Sequence, residues 1–509
     1  MYGEYRYWLG GSGWIEVVTQ LPNHVLCVMT TQLFLSTTAL ALVALTACKR
    51  TEPGTTPTPN PPVSAAVEVT LDVTKTNQTI AGFGGFGAQN VYWSNGPFTS
   101  DRFVRDLVDD LGCTIIRDEL PTSFEIENDN ADPNVTDLTK FNLNTRHGGH
   151  HVPFGDRIPH LKALRQAGVE TFIASVWSPA PWMKWNNRVD NGTSANSAPA
   201  YNKTPTVASN QLKVDNYEEF AESCVAYCRI FKREIGVDLY GLSIQNEPRF
   251  SQSYQSCLYD GEALRDLIKV VGRRFKKEGI TAKLFMPEDV GWLDGVRNMT
   301  LPTLNDPEAR SYVSIVATHG YALDGIKPSS ADATTWETMA GWGKPYNFPL
   351  WMTETSGYKN NHEGAISLAK AMYTALRFGN VSAWVYWSLS EEQASDYSLM
   401  TTSGIKSKRY WVSKQFYRYV RPGAVRVETN SPDADLLPLA FTKDGLPTLV
   451  ISNIGTTDKA IRVKGDGVST QYNVFRTTAS ENCQELTAVK AGDTITMPAQ
   501  SVVTLVGVK

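Results

Sequence analysis

The chain has 509 residues, 42% of them hydrophobic and 20% charged, with a formal net charge of −4. That balance describes a folded globular protein and argues against a polyanionic partner, because nucleic-acid binders carry a basic excess or a basic stripe. The length exceeds what one core fills, so two domains are expected, and 13 Trp and 21 Tyr suit either a large core or stacking on sugar rings.

Residues 1–28 show no recognisable signal, and Met29 is the more natural start. Residues 33–47 form an apolar run too short to span a bilayer. It ends in Leu45-Thr46-Ala47-Cys48, which resembles the lipobox of bacterial lipoproteins. Residues 1–48 are therefore read as an export and lipoprotein signal region, and a lipid on Cys48 is the expected link to a membrane. The protein is expected at the cell envelope, with plain secretion as the alternative. Residues 49–65, dense in Thr and Pro, read as an extended tether. Beyond Cys27 and Cys48, the five cysteines Cys113, Cys224, Cys228, Cys257 and Cys483 have the irregular spacing of packing residues, not of a disulfide framework or a zinc site.

Residues 67–73 alternate with period two and predict a half-buried strand. Residues 79–87 carry four glycines, as a strand closely approached by other backbone requires. Apolar residues at helical spacing then recur at 101–110, 157–166, 217–234, 263–278 and 365–377. Between them lie β-rich runs at 80–83, 114–117, 171–176, 239–244, 283–286, 313–317, 350–353 and 383–387. Eight strands, each followed by a helical pattern or a long loop, predict an α/β fold, a (β/α)8 TIM barrel over residues 79–422. After Pro422 only short alternating runs appear, at 437–442, 447–454, 460–463, 472–477, 493–497 and 501–506, so residues 423–509 read as an all-β sandwich.

The fourth run ends abruptly in Asn246-Glu247-Pro248, where Pro248 has no N–H to continue a ladder. The seventh ends in Thr353-Glu354-Thr355. A carboxylate at the carboxyl end of a buried parallel strand sits where barrel enzymes hold their chemistry. Two of them are what glycoside hydrolysis needs, one to protonate the leaving oxygen and one to attack the anomeric carbon or activate water. Together with Gly82-Phe83-Gly84-Gly85-Phe86-Gly87, Trp177-Ser178-Pro179-Ala180-Pro181-Trp182-Met183-Lys184, Ser243 to Pro248, Met286-Pro287-Glu288 and Arg421-Pro422-Gly423, these stretches resemble glycoside hydrolase family 30, in order, from about Val67 to the C-terminus.

The resemblance implies a retaining β-glycosidase with Glu247 as acid/base and Glu354 as nucleophile, and a strand over residues 66–78 that joins the C-terminal β-domain. Arg117, ending the second strand, is the candidate to grip Glu354 in two places. Asn246 is the candidate for the sugar's 2-hydroxyl, and His319 and Tyr321 are expected to line the same pocket, with Tyr321 donating to Glu354. Trp177 and Trp387, ending the third and eighth strands, are either walls for a sugar ring or core packing. Trp93, Trp182, Trp185 and Trp292 are loop platforms or loop anchors. Glu288 and the pair Asp118-Glu119 are read as positioning carboxylates. The run from His147 to His151 reads as a polar loop, and Lys406, Lys408 and Arg409 as exposed basic residues with uronate recognition as the alternative. The expected substrate is a β-linked polysaccharide or oligosaccharide, xylan or β-1,6-linked glucan or galactan, with no cofactor, no metal and no nucleic acid, acted on by a monomer. A carbohydrate-binding surface lipoprotein that uses the same cleft without turnover is the alternative.

Overall fold

The computed structural model describes residues 4–8, 14–18, 65–87, 98–144, 153–196, 200–291, 294–321 and 333–508. Residues 1–63 and 64–509 are separate compact units. In the first, Glu4–Trp8 pairs antiparallel with Trp14–Val18. The apolar run, Cys48 and the tether to residue 64 lie outside the described residues, as do Trp93, Trp292 and the segment from His147 to His151.

In the second unit, eight parallel strands close into a barrel: Gly82–Phe86, Ile115–Leu120, Thr171–Val176, Gly241–Ser243, Lys283–Val290, Val313–His319, Leu350–Glu354 and Val381–Tyr386. Alternation decides which side chains fill the barrel and which meet the helices. Ile115, Ile173, Phe285, Ile315, Trp351 and Val385 pack together inside. Their neighbours Ile116, Phe172, Leu284, Val316, Met352 and Trp384 belong to the larger outer core.

Helices at Phe154–Gln166, Tyr217–Ile235, Gly261–Glu278 and His362–Phe378 fall on the predicted segments. In the predicted segment 101–110, a single α-turn, Asp101–Arg105, passes into a wider π-turn, Asp106–Leu111. Helices at Asp294–Asn305, Ala333–Gly343 and Lys408–Tyr417 escape the periodicity test because prolines, glycines and polar residues break their apolar faces.

The C-terminal strands form one continuous nine-stranded sheet. Val69, Val427, Leu449, Ile461, Val474, Ile495 and Leu505, spread across it, share a single core, so the sheet folds over on itself. Val67–Thr79 lies inside it, antiparallel to Val425–Asn430 and parallel to Lys459–Asp466. The strands Val425–Asn430 and Gln484–Lys490 are additions to those predicted. Barrel and sheet are bonded directly, Arg377 to Glu428 at 2.6 Å and Gln415 to Thr477 at 2.8 Å. All five described cysteines are buried and free.

The first barrel strand shows why its glycines matter. A Cβ at Gly84 would lie 1.7 Å from the carbonyl oxygen of Ile115 on the second strand, and one at Gly85 would lie 2.7 Å from that of Tyr386 on the eighth. Only glycine lets the barrel close there. Gly84→Ala is expected to lower the unfolding free energy by at least about 1–3 kcal/mol, as overpacking does, measured by urea titration against the parent protein.

Candidate active site

The carboxyl ends of the barrel strands converge on a cavity of about 580 Å³ lined by Trp177, Asn246, Glu247, Tyr321, Glu354 and Trp387, among others. Glu247 and Glu354 are nearly buried, 7% and 5% exposed. Their backbones are held to neighbouring strand ends. The Glu247 N–H donates to the Glu288 carbonyl at 2.9 Å, and the Glu354 carbonyl accepts from Gly320 N–H at 2.9 Å. Two local irregularities aim these side chains. Glu247 and Glu288 occupy the left-handed region, with φ of 48° and 53°, a conformation that costs a non-glycine residue energy and clusters at functional sites. Between Met352 and Glu354 the ladder to the sixth strand slips by one residue, since Met352 pairs with Thr318 and Glu354 with His319. Strict alternation from the inward-facing Trp351 would turn Glu354 away from the barrel axis; the bulge brings it to the mouth.

Arg117, fully buried, ends the network on one side. Its Nη1 bonds Glu354, while Nη2 meets Asn246 Oδ1 at 2.7 Å and Glu288 Oε1 at 3.0 Å, and Nε donates to Ser175 Oγ at 3.2 Å. The expected two-point grip on Glu354 is therefore divided among four partners. Asn246, with Oδ1 accepting from Arg117, keeps its two side-chain N–H donors for a ligand. Tyr321 lines the cavity, and its hydroxyl donates to Glu354.

His319 is a correction: it does not line the cavity but lies behind it, fully buried, Nδ1 3.2 Å from Glu247 Oε1 and Nε2 3.4 Å from Glu288 Oε1. Burial alone would strip its proton, but Glu354, Glu247 and Glu288 around it raise it to about 10. Burial likewise raises Glu288, yet Arg117, His319 and Ser175 together bring it down to about 2. Glu247 moves the other way. Burial raises it, and so does the nearby Glu354, against the lowering influence of His319. One oxygen of Glu247, one nitrogen of His319 and one oxygen of Glu354 lie within 4.8 Å of one another, a spacing that a metal ion can also use. Here Arg117 and His319 already supply positive charge to these carboxylates.

Trp177 and Trp387 stand 5.9 Å apart with Phe86 against both, at 5.8 and 4.5 Å, and the Arg117 guanidinium lies 4.6 Å over the Trp177 ring. They pack together and also line the cavity. Trp182 is a loop anchor, its indole donating to the Glu125 carbonyl at 3.1 Å.

The family model for the Glycosyl hydrolase family 30 TIM-barrel domain matches residues 122–388. The chain belongs to glycosyl hydrolase family 30. Similar proteins include the glucuronoxylanase XynC of Bacillus subtilis, 27% identical over 339 residues, covering 64% of this chain and 72% of that protein. Another is an endo-1,6-beta-D-glucanase of Neurospora crassa, 24% identical over 344 residues, covering 62% of this chain and 65% of that one. The crystal structure of the family 30 subfamily 8 xylanase Xyn30A from Clostridium acetobutylicum shares the fold, with a TM-score of 0.66 at 24% identity, covering 86% of this chain and 99% of that one.

In this family 30 glycosyl hydrolase, strand-end reasoning passes over several residues that line the cavity. Phe250, Tyr254 and Gln255 follow the fourth strand and Tyr397 the eighth, and all line the cavity. Their loop positions were the available signal, but no spacing marks which loop aromatic turns inward. Lys406, Lys408 and Arg409 lie elsewhere. Lys406 pairs with Asp106 at 2.7 Å, Lys408 donates to the Thr478 carbonyl at 2.9 Å, and Arg409 is buried on backbone carbonyls. Their positive charges serve the packing of the last helix, not the cleft.

Because Arg117 faces two buried carboxylates, Arg117→Met leaves both without their guanidinium. The unfolding free energy at neutral pH is expected to fall by about 3–5 kcal/mol, the cost of breaking a buried ion pair from one side, measured by urea titration.

Proposed function

We propose that this enzyme cleaves a β-linked glycan with retention of configuration by double displacement, with Glu247 as general acid/base and Glu354 as nucleophile. The observation that carries the reading is the close approach of the two carboxyl groups, one oxygen of each lying within 4.8 Å of the other. Retaining sites set their carboxyls ~5–5.5 Å apart, whereas inverting sites need ~6.5–9.5 Å to admit a water.

In the first step an oxygen of Glu354 attacks the anomeric carbon while the bond to the leaving oxygen breaks and Glu247 gives that oxygen its proton. In the second, water attacks the same carbon, Glu247 takes the water proton, and the bond to Glu354 breaks. Burial and the nearby Glu354 favour the protonated form of Glu247 that the first step requires. Tyr321 and Arg117 hold the attacking carboxylate in place.

Substrate choice is read from the walls. Trp177 and Trp387, backed by Phe86, supply apolar surface to a sugar face, and among the described residues that line the cavity there is no Lys or Arg. A neutral stretch of xylan or a β-1,6-linked glucan or galactan suits that lining better than a uronate. Export and a lipid on Cys48 belong to the same proposal.

Glu354→Gln is expected to reduce kcat on an aryl β-glycoside by at least about a thousandfold, and azide should rescue Glu354→Gly with an inverted glycosyl azide. Near-normal turnover by Glu354→Gln would remove the nucleophile assignment, and binding to xylan or β-1,6-glucan without new reducing ends would favour the lipoprotein that binds without cleaving. In the parent enzyme kcat/KM should fall as pH rises through the raised ionisation of Glu247, because the deprotonated form has no proton for the leaving oxygen. Glu247→Gln should flatten that alkaline limb on substrates with activated leaving groups.

A further inference from the structure

Glu247 and Glu354 leave a third carboxylate at the same strand ends without a part in the reaction. Glu288 is fully buried near the end of the fifth strand and does not line the cavity, yet touches both halves of the site. Its Oε1 lies 3.0 Å from Arg117 Nη2 and 3.4 Å from His319 Nε2. Arg117 continues to Glu354 and Asn246, and His319 continues through Nδ1 to Glu247. A solvent-excluded carboxylate persists only where cations or donors satisfy it, so the three groups hold one another in place.

The imidazole geometry adds a constraint. A ring with a carboxylate at each nitrogen must present a proton on the side of the carboxylate that stays charged, and Glu288, bonded to two cations, is that one. The Nε2 proton therefore faces Glu288, and Nδ1 faces Glu247 across 3.2 Å. We propose that Glu288 is a positioning residue: it fixes the orientation and protonation of His319, so that Nδ1 governs the proton on Glu247, and it steadies Arg117 against Glu354. The inference rests on Glu247 being the acid/base.

The charged groups around this chain of contacts are few. His319 faces Glu247, Glu288 and Glu354; Glu288 faces Arg117 and His319; Glu247 faces His319, Glu354 and, farther off, Asp289, which Arg249 pairs. Removing the Glu288 charge therefore takes from His319 one of the carboxyl groups that hold its proton, and weakens the imidazolium that draws on the proton of Glu247.

The test uses the full chain with 15N-labelled histidine. In the parent protein at pH 8, His319 should show both ring nitrogens protonated, a measurement that reports its state whatever the reaction. In Glu288→Gln the pH at which His319 loses a proton should fall by about one unit or more, the shift expected when an opposite charge within ~4–6 Å is removed. The alkaline limb of kcat/KM should move to higher pH in the same variant, and Glu288→Asp should restore part of the parent profile. A neutral His319 in the parent at pH 8, or an unchanged His319 titration and pH profile in Glu288→Gln, overturns the proposal. Should Glu288→Gln not fold, the parent spectrum alone still decides. Absence of hydrolysis by the parent would instead count against the reaction, leaving the His319 measurement intact.

Discussion

Three carboxylates and two cations share a space at one end of the barrel from which water is largely excluded, and the rest of the site follows from keeping them together. Glu247, Glu288 and Glu354 would repel one another there; Arg117 and His319, both fully buried, lie between them and make that crowding tolerable. Buried ion pairs of this kind are weak devices for stability, because desolvation offsets most of the attraction. They are strong devices for geometry, since each partner has one place in which its charge is satisfied. The same arrangement separates the carboxylates chemically: Glu288, beside Arg117 and His319, is held low against its burial, and Glu247, raised by burial and then by the nearby Glu354, is held high.

Such a network needs a rigid frame, and the barrel supplies it through small departures from regularity. A plain strand alternates its side chains and ends; here two residues in left-handed backbone and a one-residue slip beside the sixth strand turn acidic side chains toward a common point. The cost of those distortions is carried by packing beneath them, where Ile115, Phe285, Trp351 and Val385 fill the barrel and Gly84 allows its first two strands to meet. The folded C-terminal sheet extends this support. Its strand Val67–Thr79 precedes the barrel in the chain and lies between strands that follow it, so unravelling either part disturbs the other.

The aromatic wall shows how one residue can pack on its neighbours and still border the cavity. Trp177 packs on Phe86 and under the Arg117 guanidinium while a remaining face borders the cavity. A surface that binds sugar rings must be both flat and immobile, and its own packing supplies the second property.

The eight strands, the change to an all-β pattern after Pro422, and the two strand-end glutamates were readable from the amino-acid sequence, because alternation, helical spacing and proline punctuation are local signals. The contacts of Glu288 with Arg117 and His319, the retreat of His319 behind the cavity and the division of Arg117 among several acceptors were not. Nor was the inward turn of Tyr254 and Tyr397, or the use of Lys406 and Arg409 in packing. Those depend on which way a side chain leaves a strand end and what meets it there, and that is decided by bulges, left-handed residues and contacts between segments more than a hundred residues apart. The chain's own sequence determined which residue types stand at the barrel's mouth; only the closed barrel decided which of them share a charge.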